Sequence, residues 1–168
     1  APNKKDHISY GRTEKEIWGA WHVKNSTFRH SRSCFDVKMS FNEVGARDDS
    51  FVNLPKESIF LLGDSFAEGY GVSKKDTSEF IIEKELSVPV LNFGASGDFG
   101  PLQVFLIYKN FLNIPHQGLI IYVLPHNDFT DNDASVWEKR NQIRYRPYFS
   151  QEGNLLNPYY FPSAIPRD

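Results

Sequence analysis

The sequence of 168 residues is poor in cysteine and methionine, with one of each. The single cysteine, Cys34, excludes an intramolecular disulfide framework and any zinc site built from several cysteines. Long apolar runs are also missing, and the longest, residues 119–125, is far too short for a membrane-spanning helix. The chain does not open with a basic and then apolar segment, so we expect a targeting peptide to be absent or already removed.

No strong net charge marks the chain, whose formal value at pH 7 is −2. This balance gives no electrostatic basis for binding nucleic acid. Basic side chains outnumber acidic ones in residues 1–34, which leaves two interpretations open, a solvated face and a contact with an anionic surface. Hydrophobic residues make up 40% of the chain, enough for one domain with a real core.

Three short apolar runs, each closed by glycine or proline, predict buried strands of a parallel sheet. They span residues 59–62, 88–94 and 118–125. The segments between them predict helices over residues 76–86 and 101–112. Asp76 or Thr77 is the expected N-cap of the first helix, and the second carries a proline in its first turn. This alternation of strand and helix predicts an α/β fold with right-handed crossovers.

The regions on either side of this pattern are organised differently. Residues 35–42 alternate apolar and polar side chains, as in a half-buried strand. We interpret residues 1–55 as an amino-terminal extension whose tryptophans pack on the α/β domain of residues 56–168. A short helix over residues 134–142 and a hairpin turn at 152–154 are expected next. Three parallel strands are fewer than open α/β sheets usually have, so we expect the sheet to be incomplete at the carboxyl end.

Each predicted strand is followed by a turn rich in polar and glycine residues. The three turns contain Gly63-Asp64-Ser65, then Asn92, Ser96 and Gly97, and finally His126-Asn127-Asp128. The carboxyl ends of parallel strands lie at one edge of the sheet, where open α/β sheets bind ligands. We therefore expect the three turns to meet in space.

Such a cluster suits acyl transfer. A serine in a sharp turn at a strand end, Ser65, projects its hydroxyl as a nucleophile. The oxyanion that then develops needs two or three fixed donors, for which we predict the backbone N–H groups of Ser65 and Gly97 and the amide of Asn127. Asp64 and Asp128 are candidates for substrate binding, and Asp64 has an alternative role as a hydrogen-bonding residue of the turn.

Three sequence blocks carry a resemblance to a known family: LLGDSFAEGYGV, LNFGASGDFG and LPHNDF. In order and spacing they resemble blocks one to three of the SGNH/GDSL hydrolase superfamily. The resemblance implies a three-layer α/β/α flavodoxin-like fold and ester hydrolysis, with Ser65 as nucleophile and Gly97 and Asn127 in the oxyanion hole. The segments NDFTDN and RYRPYF resemble the carbohydrate-associated members, which often remove or transfer acetyl groups. We expect an acylated carbohydrate or another small ester as substrate, and neither a cofactor nor a metal.

The sequence departs from this family in two places. The family's Asp-x-x-His block, which supplies the general base, is missing, since no histidine here has an aspartate three residues before it. Pro125 also stands where block three usually has glycine. Without a base the serine hydroxyl is a poor nucleophile. Either the chain is a fragment that ends before the base, or it is complete and is inactive or uses another histidine.

The histidine beside the third turn, His126, is an obvious substitute for the base. Neighbours on an extended segment point to opposite sides, so we expect His126 to face away from Ser65 if Asn127 faces the oxyanion. His116 is expected at the far edge of the sheet. A non-catalytic module that binds a glycan or a protein partner in the same cleft therefore stays open as an alternative to the esterase.

Other features also have competing interpretations. Asp128, Asp131 and Asp133 suggest calcium, but their spacing does not match an EF-hand loop, and a solvated acidic loop is the alternative. The glycines form neither of the common phosphate-binding motifs, which leaves a nucleotide-binding domain as a weak rival. Several aromatic residues are candidates for a sugar site, with core packing as the alternative: Tyr70, Phe99, Trp137, Tyr145 and Tyr148.

Overall fold

The computed structural model of the protein describes residues 14–54, 57–97, 99–139, 146–152 and 155–160. Its elements, in chain order, are β1 Glu14–Glu16, β2 Gly19–Trp21, β3 Ser26–Arg32, β4 Phe35–Phe41, β5 Ile59–Leu62, α1 Ser65–Glu68, a 3₁₀ turn Lys74–Asp76, α2 Ser78–Leu86, β6 Val90–Asn92, α3 Pro101–Asn110, β7 Gly118–Ile121, α4 Asp128–Asp131, α5 Ala134–Lys139, β8 Pro147–Glu152 and β9 Leu155–Tyr160. The predicted boundary between extension and domain, at residues 55 and 56, lies outside the described residues.

A three-stranded parallel sheet has the order β6-β5-β7. Phe60 in β5 is paired with Leu91 in β6 and with Leu119 in β7. The predicted α/β class with a parallel sheet is therefore confirmed. β6 ends earlier than predicted, because the side-chain oxygen of Asn92 accepts the N–H of Gly94 at 2.9 Å and turns the chain.

Apolar cores lie on both faces of the sheet, because successive side chains of a strand point to opposite faces. Phe60 and Leu62 belong to the larger core, together with Ile107 of α3. Leu61 belongs to the opposite core, against which Ile82 of α2 packs. Full burial of a side chain of this size contributes about 1.5–3 kcal/mol, so both helices are held on the sheet mainly by these contacts.

The amino-terminal segment is part of the larger core. Trp18 and Trp21 are 2% and 0% exposed, and their rings meet edge to face with centres 5.6 Å apart. The indole N–H of Trp21 donates to the carbonyl of Val44 at 2.8 Å, and the amide of Gln103 in α3 donates to the carbonyl of Trp18 at 3.0 Å. Both tryptophans therefore lie in the same apolar core as Phe60 and Ile107, while the division of the chain into an extension and a domain stays a prediction.

The strand predicted over residues 35–42 is confirmed as β4, which pairs with β3 in a seven-residue antiparallel hairpin. The sequence of residues 26–32 does not predict a strand, although the structure has β3 there. The reason is that the buried position 30 is occupied by histidine instead of an apolar residue, which interrupts the alternation. The ring of His30 packs edge-on against Phe35 and Tyr70, with ring centres 4.7 Å from each. The hairpin thereby reaches the loop that follows α1.

β7 differs from the prediction of a strand buried on both faces. Leu119 and Ile121 are 41% and 51% exposed, and no described strand pairs with the outer edge of β7. An apolar groove of about 180 Å³ lies between α3 and β7, where Phe105 and Val123 form part of its walls. An apolar run does not by itself tell whether both sides of a strand are covered, which is why the sequence overestimates the burial here.

An ionic cluster with two buried carboxylates and a one-third exposed lysine joins the segment between β4 and β5 to α2 and to the end of β6. The ammonium of Lys74 lies 2.6 Å from Asp48 and 3.0 Å from Glu79. The second oxygen of Asp48 accepts the backbone N–H of Asn92 at 2.8 Å. Burial raises the pKa of Asp48 and raises the pKa of Glu79 to about 7, with the charge of Asp48 as a further cause for Glu79.

We expect the free energy of unfolding to fall as the pH rises from about 5 to about 8, because Glu79 then loses its proton in the folded protein. Glu79 has an ordinary pKa of 4.5 and a folded-state pKa of about 7, so its contribution is complete below pH 4.5 and is lost towards pH 7. Between about pH 5 and pH 8, the unfolding free energy of Glu79→Gln should fall by about 1–2 kcal/mol less than that of the wild type. Thermal denaturation across this range measures the slope, and Glu85→Gln, at an exposed position of the same helix, is the control. An unchanged slope in Glu79→Gln would contradict the assignment.

Candidate functional site

Ser65 is the first residue of α1, directly after the turn that leaves β5. The turn needs glycine at position 63, which has a φ of +151° and where a Cβ would lie 3.0 Å from the carbonyl oxygen of Tyr122. Asp64, and not Ser65, caps the helix, since its carboxylate accepts the N–H of Phe66 at 2.9 Å. The Ser65 side chain is half-buried, and its hydroxyl forms no hydrogen bond with the described residues.

Asp64 is 4% exposed, and burial raises its pKa while the hydrogen bond from Phe66 lowers it. This carboxylate therefore serves the turn, which is the alternative role considered for it. A contact of Asp64 with a substrate stays a prediction.

The other end of α1 is held by a buried arginine, Arg47, which is 2% exposed. Its guanidinium donates to the carbonyl of Glu68 at 2.9 Å, to the carbonyl of Gly69 and to the carbonyl of Val72 at 2.6 Å. Gly69 closes the helix in the left-handed conformation, with a φ of +80°. Arg47 thus supplies donors for carbonyl groups that a short helix leaves unsatisfied.

The second turn lies directly against the first. The N–H of Ala95 donates to the carbonyl of Gly63 at 3.1 Å, and the N–H of Ser96 donates to the carboxylate of Glu68 at 2.8 Å. Gly94 packs against the backbone of α1 so closely that a Cβ there would lie 2.5 Å from the carbonyl carbon of Ala67. Gly97 follows with a φ of +93°, at a half-buried position.

The third turn places Asn127 before α4. Its side-chain amide donates to Asp131 at 2.7 Å and more weakly to Asp128 at 3.3 Å. The other oxygen of Asp128 accepts the N–H of Leu124 at 2.7 Å. Burial raises the pKa of Asp128, and the charge of Asp64 adds to this shift. A contact of Asp128 with a substrate stays a prediction.

The carboxyl end of α4 meets the helix that follows the second turn. The side-chain oxygen of Asn132 accepts the N–H of Leu102 in the first turn of α3 at 2.9 Å. At position 100 only glycine leaves room for this side chain, since a Cβ there would lie 2.9 Å from the Asn132 side-chain carbon. The parallel order β6-β5-β7 places all three turns at one edge of the sheet, as predicted, and the first two are in direct contact. The chemical roles of Ser65, Gly97 and Asn127 stay predictions.

Three of the four described histidines are held in contacts away from Ser65. His22 is fully buried between Gly45 and Glu68, and His30 is enclosed in the hairpin contact. His116 lies before β7, at the edge opposite the candidate site as predicted, and stacks on Phe60 with ring centres 4.2 Å apart.

His126 lies in a tight turn and not on an extended segment, so the expected alternation of side chains does not apply to it. It is exposed, whereas its neighbour Asn127 is half-buried. The chain bends at this point into α4, and the expectation that His126 faces away from Ser65 stays a prediction. His7 lies outside the described residues.

Three of the five aromatic candidates for a sugar site are core residues, since Phe99, Trp137 and Tyr148 are 2%, 2% and 0% exposed. Tyr70 is 39% exposed, and Tyr145 lies outside the described residues. Two exposed aromatic rings beside the turns were not predicted: Phe66 at 63% and Phe129 at 73%. Each follows a candidate catalytic residue by one or two positions, and that proximity was the signal available in the sequence.

Among the described residues, no group of three histidine, cysteine or acidic side chains is arranged to hold a metal ion. In the same residues no helix has the length and apolar character needed to cross a bilayer. No family model matches the chain, and comparison with curated proteins and with solved structures also found no match.

Proposed function

We propose that the protein is a serine ester hydrolase of the SGNH type that acts on acetyl or other short acyl esters of a carbohydrate. The observation that supports this most is the position of Ser65. Ser65 is half-buried and its hydroxyl is not hydrogen-bonded to described residues, in a glycine-dependent turn at the carboxyl edge of the sheet. The turns with Gly97 and Asn127 follow the neighbouring parallel strands at the same edge.

In this mechanism the Ser65 oxygen attacks the acyl carbon and its proton passes to a general base. The negative charge on the acyl oxygen is stabilised by the N–H of Gly97 and by the amide of Asn127. The Asn127 hydrogen that now faces Asp128 at 3.3 Å is the weaker of its two contacts and the one available to the oxyanion. Collapse of the intermediate releases the sugar hydroxyl with the proton from the base, and water then cleaves the acyl-serine.

The base in this proposal comes from outside the described residues, as the family resemblance implies. The order β6-β5-β7 corresponds to the first three strands of the flavodoxin-like order 2-1-3-4-5. We include this three-layer fold in the proposal, since apolar cores on both faces of the sheet support it. In such a fold the next strand would lie beside the exposed edge of β7.

The preference for carbohydrate is supported by the exposed aromatic rings of Phe66, Tyr70 and Phe129. Ligand sites are lined mainly by apolar and aromatic side chains, with a few polar groups that fix orientation. Flat aromatic faces suit the C–H faces of sugar rings, and the three turns supply the polar groups beside them.

Supplying the missing base from solution tests the nucleophile. We expect the protein, incubated with p-nitrophenyl acetate and imidazole, to gain one acetyl group on Ser65, detected by intact-mass and peptide mass spectrometry. Ser65→Ala should lower the protein-dependent rate by about 1000-fold or more. Ser73→Ala is the matched control, because Ser73 is also half-buried and its side chain makes no capping bond. Equal rates for wild type and Ser65→Ala would refute the esterase.

A second candidate function, a non-catalytic glycan-binding module, is favoured by one observation: both amide hydrogens of Asn127 face carboxylates. Binding of an acetylated oligosaccharide in titration calorimetry, without turnover and with the same affinity in Ser65→Ala, would support this alternative. Ser65-dependent acetyl transfer would exclude it.

A further inference from the structure

Three buried polar side chains from separate parts of the chain contact one another in sequence at the second turn: Ser96 contacts Glu68, and Glu68 contacts His22. Glu68, at the end of α1, is 1% exposed, and one of its oxygens accepts both the backbone N–H of Ser96, at 2.8 Å, and the hydroxyl of Ser96. Its other oxygen lies 2.9 Å from Nε2 of His22, which is 0% exposed. Nδ1 of His22 lies 3.1 Å from the carbonyl oxygen of Gly45.

The chemistry of these partners places one of the protons. A carbonyl oxygen only accepts hydrogen bonds, so Nδ1 of His22 must carry a hydrogen towards Gly45. The Glu68 oxygen that meets Ser96 accepts two hydrogen bonds, as the oxygen of a carboxylate or the carbonyl oxygen of a carboxylic acid does. Nε2 of His22 and the other oxygen of Glu68 lie 2.9 Å apart, and both an imidazolium–carboxylate pair and a neutral pair have a proton in this contact. His22 and Glu68 thus form a buried pair of titratable groups in direct contact.

This pair acts on the residue that precedes Gly97. The two bonds from Ser96 to Glu68 hold both the N–H and the side chain of Ser96, and so fix the orientation of the chain where it enters Gly97. The φ of +93° at Gly97 sets the direction of the next peptide group. His22 in turn keeps the Glu68 carboxylate in place, and its ring is stacked on Phe41 with ring centres 4.0 Å apart.

We propose that His22 and Glu68 are positioning residues for the second turn, in which Gly97 is the oxyanion donor. They act through Ser96, so the amino-terminal segment that contains His22 contributes to the geometry of the site. This inference rests on the proposed function for its catalytic consequence, but not for its structural one. A donor misplaced by about 1 Å can reduce the rate about 100-fold. The pair therefore matters for the acylation rate and not for substrate binding.

Glu68→Gln and His22→Gln test the proposal, with Glu79→Gln as the matched control. Glu79 is also a buried glutamate, 2% exposed, but its carboxylate bonds to Lys74 and Thr77. The first readout is the pair of Ser96 and Gly97 amide signals in the ¹H–¹⁵N spectrum, together with their hydrogen exchange. We expect both signals to move in both test variants, with exchange at Gly97 about tenfold faster, and neither change in Glu79→Gln.

The second readout is acetyl transfer to Ser65 in the presence of imidazole. We expect the maximal acylation rate to fall about 10–100-fold in Glu68→Gln with an unchanged concentration dependence. If Glu68→Gln fails to fold, Ser96→Ala, which keeps the backbone bond, replaces it. Unmoved Ser96 and Gly97 signals in a folded variant, or equal movement in Glu79→Gln, overturn the proposal. If wild-type Ser65 is never acylated, the proposed function fails while the amide signals still decide the positioning role.

Discussion

Replacing Gly94 by alanine is expected to lower the free energy of unfolding by about 3 kcal/mol or more. The added Cβ would lie 2.5 Å from the carbonyl carbon of Ala67 and closer still to the backbone nitrogen of Glu68. Both atoms are backbone atoms of α1, so no side-chain rotation can relieve the overlap. The helix or the second turn must shift, and with it the hydrogen bonds that join them.

Gly118→Ala is the matched control for this substitution. A Cβ at position 118 has only the Ile59 side chain near it, at 3.9 Å, an ordinary van der Waals contact. We expect its unfolding free energy to change by less than about 1 kcal/mol. Thermal and urea denaturation of both variants provide the comparison. Similar stability of the two variants would show that α1 and the second turn are not packed as described.

Replacing Arg47 by methionine is expected to lower the free energy of unfolding by about 3–5 kcal/mol. Methionine keeps much of the volume, but three buried carbonyl oxygens, of Glu68, Gly69 and Val72, lose their donor. A buried polar group without a partner costs about 1–3 kcal/mol. The loop after α1 should also become sensitive to proteases, because these bonds hold it against the connector that follows β4.

Two further variants show whether the effect comes from the buried bonds. Arg47→Lys should restore only part of the stability, since one ammonium group does not reproduce the geometry of the guanidinium. Arg29→Met, which removes an exposed arginine paired with Asp36 on the hairpin, should leave the melting temperature unchanged. A melting temperature of Arg47→Met equal to that of the wild type would contradict the role assigned to Arg47.

Both substitutions act on the same small element, the four-residue helix that begins with Ser65. Isolated helices of this length are not stable, so α1 depends on its surroundings. Gly94 allows the second turn to approach it, and Arg47 binds its carboxyl end. The position of Ser65 is therefore a consequence of tertiary contacts at both ends of α1.

Much of the central fold is predictable from local sequence. β5 was predicted with its observed bounds, because four apolar residues end at a glycine that the turn requires. The N-cap of α2 is Thr77, one of the two predicted residues, since its hydroxyl accepts the N–H of Phe80. The placement of the three turns at one edge followed from the parallel order of the strands and is also observed.

Other features could not be predicted, for identifiable reasons. The exposure of Leu119 and Ile121 depends on what lies beside β7, which no pattern within the strand reveals. β3 was missed because His30 interrupts its apolar alternation, although the imidazole is buried there. The sugar-site candidates Phe99, Trp137 and Tyr148 are core residues, and the residue type alone does not distinguish a core ring from an exposed one.

The sequence by itself determined the α/β class, the parallel strands and the alignment of three polar turns at one edge, because these follow from hydrophobic periodicity and from glycine and proline positions. Only the tertiary structure decided that Glu68 joins His22 to Ser96, and that Arg47 closes the helix of Ser65. The partners in these contacts are far apart in the chain, and no local sequence pattern identifies the distant group to which a polar side chain will bond. Their energies arise from burial and hydrogen-bond geometry, which exist only once the chain is folded.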